Sequence, residues 1–309
     1  MNKFESGSFS RETMPSENNQ RIENGVWRPG ILDEFSDEVA AGFSTKEILD
    51  KYKSNQQEDS EAKSSLGLRL LGDIKRFDRP LPERIKAARV LAVLRNELSP
   101  DTDLHHIIKA QLANAGEVAK IDDKFVDDLK KGNLENKQIL GTDGLITNLP
   151  DYPLYVSAAD CFPVIMYDHK NKAIGLFHNG VYGFLKGISE NGLRAMISQY
   201  GTSPEEVKVV IAPGISPEYV LAKDMLVAYK EKFPAFDLDK YTEETDDPEA
   251  VKFDLASAIS DSLVRMGVSE DNIEKSKFNT DTNTELFSSE RTEGRKERDS
   301  NGCMVVLKK

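Results

Sequence analysis

The chain has 309 residues, enough for one large domain or two small ones, and its 39 % hydrophobic content is enough to bury a core. Lys and Arg number 41 against 53 Asp and Glu, a net charge of −12; a chain this acidic lacks the basic footprint of a nucleic-acid binder and is repelled by anionic membrane surfaces. Two cysteines, Cys161 and Cys303, exclude a disulfide framework, four histidines exclude a zinc-finger array, and no apolar run approaches the ~20 residues that span a bilayer.

Residues 1–24 are rich in Ser, Asn, Glu and Arg, carry no apolar stretch of the signal-peptide kind and are expected to be disordered, so the chain reads as cytoplasmic. A first strand region is expected over 25–35, and a polar loop or solvated helix over 53–65. Pro80 and Pro82 precede a helix over 83–98, where Ile85, Ala88, Leu91, Leu94 and Leu98 recur at helical spacing and Ser99-Pro100 ends it. Residues 104–112 read as a strand, and the charged stretch 121–137, which has no clear period, as an insertion. Beyond Thr142 come short apolar runs at 154–159, 164–167, 173–177 and 207–212, each bounded by Asp, Asn, Gly or Pro. Helices are expected over 184–200 and 253–266, an acidic loop over 237–248 and a last strand over 303–307. Interleaved strands and helices make the class mixed α and β.

Two of these runs matter chemically. The cluster Asp168-His-Lys-Asn-Lys172 reads as a turn, so the strands on either side should form a hairpin. If Asp168 pairs with Ala173, His178 lies opposite Pro163. Cys161 then shares a face with position 163, because side chains alternate with period two. Cys161 and His178 become diagonal neighbours, about 7–8 Å apart at Cβ, able to converge on one atom. Three readings are open for such a pair: zinc ligands, a nucleophile with its base, or a buried cysteine and a histidine satisfied by backbone. Asp160 and the turn Asn179-Gly180-Val181-Tyr182-Gly183 place further polar groups and tight backbone at the same strand ends.

At these residues the sequence resembles the laccase-domain proteins, also called multicopper polyphenol oxidoreductases and better described as zinc-dependent purine nucleoside phosphorylases. Thr142-Asp-Gly-Leu-Ile-Thr147 is similar to the family's A-D-G-L-V-T, and Ala159-Asp-Cys-Phe-Pro-Val164 to A-D-C-L-P-V. His178-Asn-Gly-Val-Tyr-Gly183 resembles a degraded H-A-G-W-R-G, and Ala212-Pro-Gly-Ile-Ser-Pro217 is similar to G-P-x-I-G-P. Weaker echoes run from Phe43-Ser44-Thr45 to Gly302-Cys303-Met304, so the match covers about 25–309 in order. The resemblance implies an α+β fold over 25–309, a single compact domain of mixed β-sheets sandwiched by helices.

The resemblance also implies a function: phosphorolysis of adenosine, inosine or guanosine, with adenosine deamination as a companion activity. It implies a zinc site in which Cys161 and His178 are two of three ligands, with Asp160 orienting a ligand or substrate. Asn179, Gly180 and Tyr182 fall to substrate binding, and the partners are a small-molecule nucleoside and phosphate. The family's third ligand sits in Q-V-H-G, matched here by Gln111-Leu-Ala-Asn114, which puts Ala113 where histidine is expected. The family's Trp and Arg become Val181 and Tyr182, and its late arginine becomes Cys303. An impaired zinc-dependent enzyme is therefore one expectation, and a non-catalytic binding protein of the same fold is the alternative. A Cys–His hydrolase ranks third, because a neighbouring carboxylate such as Asp160 raises a thiol's pKa. Copper laccase chemistry needs more histidines than the four present; His105, His106 and His169 read as surface or core residues, with His105 and His106 as fallback third ligands.

Overall fold

A computed structural model describes residues 19–48, 81–103, 106–131, 138–232, 234, 237–294 and 300–309. The polar stretch expected over 53–65 lies outside them, as do residues 1–18 of the segment expected to be disordered. The rest of that segment departs from expectation. Strand β1 (Arg21–Glu23) pairs antiparallel with β2 (Val26–Arg28) across Asn24 and Gly25, both left-handed with φ of 53° and 78°. Asn-Gly is the sequence signature of that two-residue hairpin turn, and the polar composition around it hid the signal.

Strand β3 (Val39–Ser44) follows, and then helix α1 (Leu81–Leu98), which buries Leu91, Leu94 and Leu98 at the expected spacing. Next come β4 (Ile108–Gln111) and β5 (Val118–Ile121), and then α2 (Asp123–Lys130), inside the stretch read as an insertion. Asp122 caps α2 by accepting from the Phe125 amide, and Phe125, Val126 and Leu129 face the core. A stripe of three apolar residues among Asp and Lys is too narrow to register as a period. Strands β6 (Gln138–Leu140) and β7 (Gly144–Thr147) fall outside the expected apolar runs, whereas β8 (Leu154–Ala158), β9 (Phe162–Asp168) and β10 (Ala173–Asn179) fall close to them. The helix expected over 184–200 is two, α3 (Val181–Leu185) and α4 (Ile188–Tyr200), broken where Gly187 turns left-handed with φ of 70°.

The remaining elements are β11 (Lys208–Ile211), β12 (Val220–Ala222), α5 (Lys223–Lys232), β13 (Thr242–Glu244) and β14 (Ala250–Phe253). They are followed by α6 (Leu255–Val264), β15 (Ile273–Lys275), α7 (Glu290–Glu293) and β16 (Asn301–Leu307). Strand β13 lies in the stretch expected to be an acidic loop. Among the described residues no helix is long and apolar enough to cross a membrane.

The strands form three sheets. One runs β1-β2-β3-β16-β8-β4-β6, a second β15-β11-β9-β10-β7-β5, and a small third β12-β14-β13. The two large sheets face each other across a core holding Phe43, Val156 and Val305 from the first and Ile165, Ile174 and Leu176 from the second. The other face of the second sheet packs Val164, Met166 and Phe177 against Leu193 and Met196 of α4 and Ile259 of α6. Helix α1 covers the outer face of the first sheet, with Leu94 packed near Tyr155 and Met304. The architecture is α+β, two mixed sheets between helices. Both strands of the Cys–His hairpin lie in the middle of the second sheet, where partners on each side hold their register.

Candidate functional site

The hairpin turn is built by Asp168, whose carboxylate accepts from the Lys170 and Asn171 amides at 3.0 Å each and from Asn171 Nδ2 at 2.8 Å. Pairing then runs from Ala173 opposite Asp168 to His178 opposite Pro163, the register the turn cluster implies. Ile174 and Leu176 face the core between the sheets, so by alternation His178 faces the same way, at its rim. Cys161 sits just before β9, half-buried, and packs against that same core. The pair therefore shares a face. Gly180 makes room for the thiol: a Cβ built there would lie 2.9 Å from Cys161 Sγ.

His178 is 7 % exposed, and no partner hydrogen-bonds its buried Nδ1 among the described residues. Burial disfavours its imidazolium and outweighs the opposing pull of Asp143, so its pKa falls to about 4. At neutral pH the ring is uncharged, with a lone pair free for a ligand.

Two aspartates fix the surroundings. Asp143, fully buried, accepts from four successive amides: Ala113 and Asn114 at 2.9 and 2.8 Å, Ala115 and Gly116 at 2.5 and 3.1 Å. Left-handed Asn114 and Gly116, with φ of 50° and 76°, alternate with their neighbours and curl the backbone into a nest around the carboxylate. The Asp143 carbonyl in turn accepts from the His178 amide at 2.8 Å, so one residue ties the 113–116 loop to the histidine strand. Asp160 does similar work at the cysteine, itself left-handed with φ of 81°. Its carboxylate accepts from Thr280 Oγ1 at 2.7 Å and from the Arg291 amide at 2.9 Å, and its carbonyl from the Ile215 amide at 2.8 Å. The Ala212–Pro217 motif thus backs the turn that carries Cys161. Both Asp160 oxygens being engaged, the structure gives this residue a role in shaping the turn.

Asn179, next to His178 on the strand, points to the opposite face, fully buried, where Ser189 Oγ donates to its Oδ1 at 3.1 Å. Tyr182 is 46 % exposed and packs edge-on against Tyr229, with centroids 5.3 Å apart. His106 stacks on Tyr152 and sits against Asp151, and His169 stacks on Phe35 near Glu206; His105 lies outside the described residues. Cys303 is fully buried in the apolar core, which pushes its thiol far above the usual range.

A catalytic zinc centre takes three protein donors and a water. Cys161 and His178 offer two, Ala113 offers a methyl group, and among the described residues no group of three His, Cys, Asp or Glu could hold a metal. The residues present do not complete such a centre. Sequence reasoning passed over Asp143, though it stands in the Thr142–Thr147 motif, and over Tyr219 and Arg291. Burial raises the pKa of the Tyr219 hydroxyl, the Arg291 guanidinium lies 5.3 Å from its ring centroid, and the Arg291 amide donates to Asp160.

Residues 102–307 match the family model described as multi-copper polyphenol oxidoreductase laccase. Over 167 residues the chain is 31 % identical to a purine nucleoside phosphorylase of Bacteroides thetaiotaomicron, covering 53 % of this chain and 61 % of that protein. It is 34 % identical over 94 residues to the human purine nucleoside phosphorylase LACC1, covering 30 % of this chain and 22 % of that protein. The chain thus spans between about a fifth and three fifths of these curated relatives. In fold it is similar to YlmD from Geobacillus stearothermophilus, with a TM-score of 0.72 at 21 % identity over 95 % of this chain and all of that one. Bacillus licheniformis YfiH gives 0.70 at 22 % over 93 % and 97 % of the two chains.

Proposed function

The chain belongs to the multi-copper polyphenol oxidoreductase laccase family, and on that premise we propose that it takes a purine nucleoside and phosphate at Cys161 and His178 and catalyses slow phosphorolysis. In that reaction a phosphate oxygen forms a bond to ribose C1′ while the C1′–N9 bond breaks. The base leaves with the bonding pair and takes up a proton, giving free base and ribose 1-phosphate. The reading is carried by one observation, the uncharged imidazole of His178, whose buried Nδ1 has no partner among the described residues, on the same face as Cys161. A neutral buried ring is suited to binding a ligand and, with a pKa of about 4, is a weak base at pH 7. The relatives named purine nucleoside phosphorylase support the substrate class.

With two protein donors a zinc ion is held weakly, and the chemistry falls to the chain's own groups. Incubation of inosine or adenosine with phosphate should release base and ribose 1-phosphate, and Cys161→Ala should lower turnover about 100-fold. Undiminished turnover in that variant contradicts the assignment. The missing donor at position 113 favours a second reading, nucleoside binding without turnover. Saturable inosine binding by calorimetry, with no product formed, distinguishes it.

A further inference from the structure

We propose that Arg291 is the phosphate-binding residue of this site, an inference that rests on the phosphorolysis reading. A doubly charged oxyanion beside Cys161 needs a cation, in a chain whose net charge is −12. The two arginine positions that the family resemblance implies are filled here by Tyr182 and Cys303, one an exposed phenol and the other a buried thiol.

Arg291 reaches the site from a different element. It is the second residue of α7, and its amide donates to Asp160 Oδ2 at 2.9 Å, one residue from the cysteine. Its guanidinium lies over the ring of Tyr219, 5.3 Å from the centroid, and makes a long 3.5 Å contact to the Val220 carbonyl. It forms no ion pair among the described residues. Asp160 is held through the arginine's backbone, and both its carboxylate oxygens are engaged by other donors, so it does not claim the side chain.

The ring backs the guanidinium of this exposed side chain, and among the described residues its N–H groups meet only the Val220 carbonyl. Their edge matches two phosphate oxygens in a fork, a geometry that lysine cannot reproduce. The Tyr219 ring and the amide bond to Asp160 together hold the arginine at the turn that carries Cys161.

The test is steady-state phosphorolysis of inosine by the full chain, with phosphate and nucleoside varied separately. Arg291→Ala should raise the phosphate KM about tenfold or more while the inosine KM stays within about twofold, and Arg291→Lys should recover part of the loss. The amide bond to Asp160 survives both substitutions, and matching circular dichroism and Tm confirm the fold. An unchanged phosphate KM, or an equal rise in both KM values, overturns the proposal. If the unmodified protein shows no turnover, phosphorolysis fails on its own, and calorimetry with inorganic phosphate alone decides the anion site. Phosphate binding that disappears in Arg291→Ala upholds it; absent binding, or equal binding in the two proteins, overturns it.

Discussion

Two buried or half-buried aspartates flank the site and act alike, yet what they hold differs. Asp160 gathers Thr280, Arg291 and the 215 amide around a turn that presents a thiol. Asp143 gathers four amides around a loop that presents Ala113, a side chain with no donor. The comparison shows that backbone hydrogen bonds to a carboxylate keep a loop in place whether or not the loop carries chemistry. A carboxylate-held framework can therefore surround a position that carries no donor.

The contrast is broken most severely at Asp143. Asp143→Ala strips the acceptor from four amides, of which Gly116 is buried, and loosens the link to His178. Urea denaturation should show a loss of about 3 kcal/mol. Asp160→Ala removes one hydroxyl and one amide partner at a half-buried position, and a loss of about 1 kcal/mol is expected. Equal losses would mean that the number of amides held is not what sets the cost.

A smaller effect sharpens the comparison by way of a carboxylate lacking such full satisfaction. Glu190 of α4 is buried, and its Oε2 has no partner among the described residues. Burial raises its pKa above the usual carboxylate range. The folded state then holds its proton to higher pH than the unfolded state does, so stability falls as pH rises through that window and stays lower above it. Glu190→Gln should remove this fall and stabilise the protein by about 1 kcal/mol at pH 7.5, with little difference near pH 4. A variant that is less stable than the parent at pH 7.5 would refute the assignment.

The Cys–His hairpin was legible in the sequence because its turn is local: five residues from Asp168 to Lys172 set the register of the seven pairs formed by the strands on either side. Helix α1 and strands β8 to β11 were legible for the same reason, their periods being unbroken. What was not legible depends on distance or on mixed signals. Asp143 meets its loop about 30 residues away, and Asp160 meets Arg291 131 residues away. No period encodes either meeting. Helix α2 hid its apolar stripe among charges, and Gly187 split a helix whose apolar spacing runs straight through. The Asn24-Gly25 turn carries a readable dipeptide signal inside a polar composition that points to disorder.

The central claim is that the loop at 113 still stands where a third donor belongs. Titration of zinc into the unmodified protein and into Ala113→His by calorimetry at pH 7.5, where an added imidazole is neutral, tests it directly. The account predicts weak binding in the unmodified protein and binding about 100-fold tighter in the variant. Equal affinities would contradict it, showing that position 113 does not share the site of Cys161 and His178.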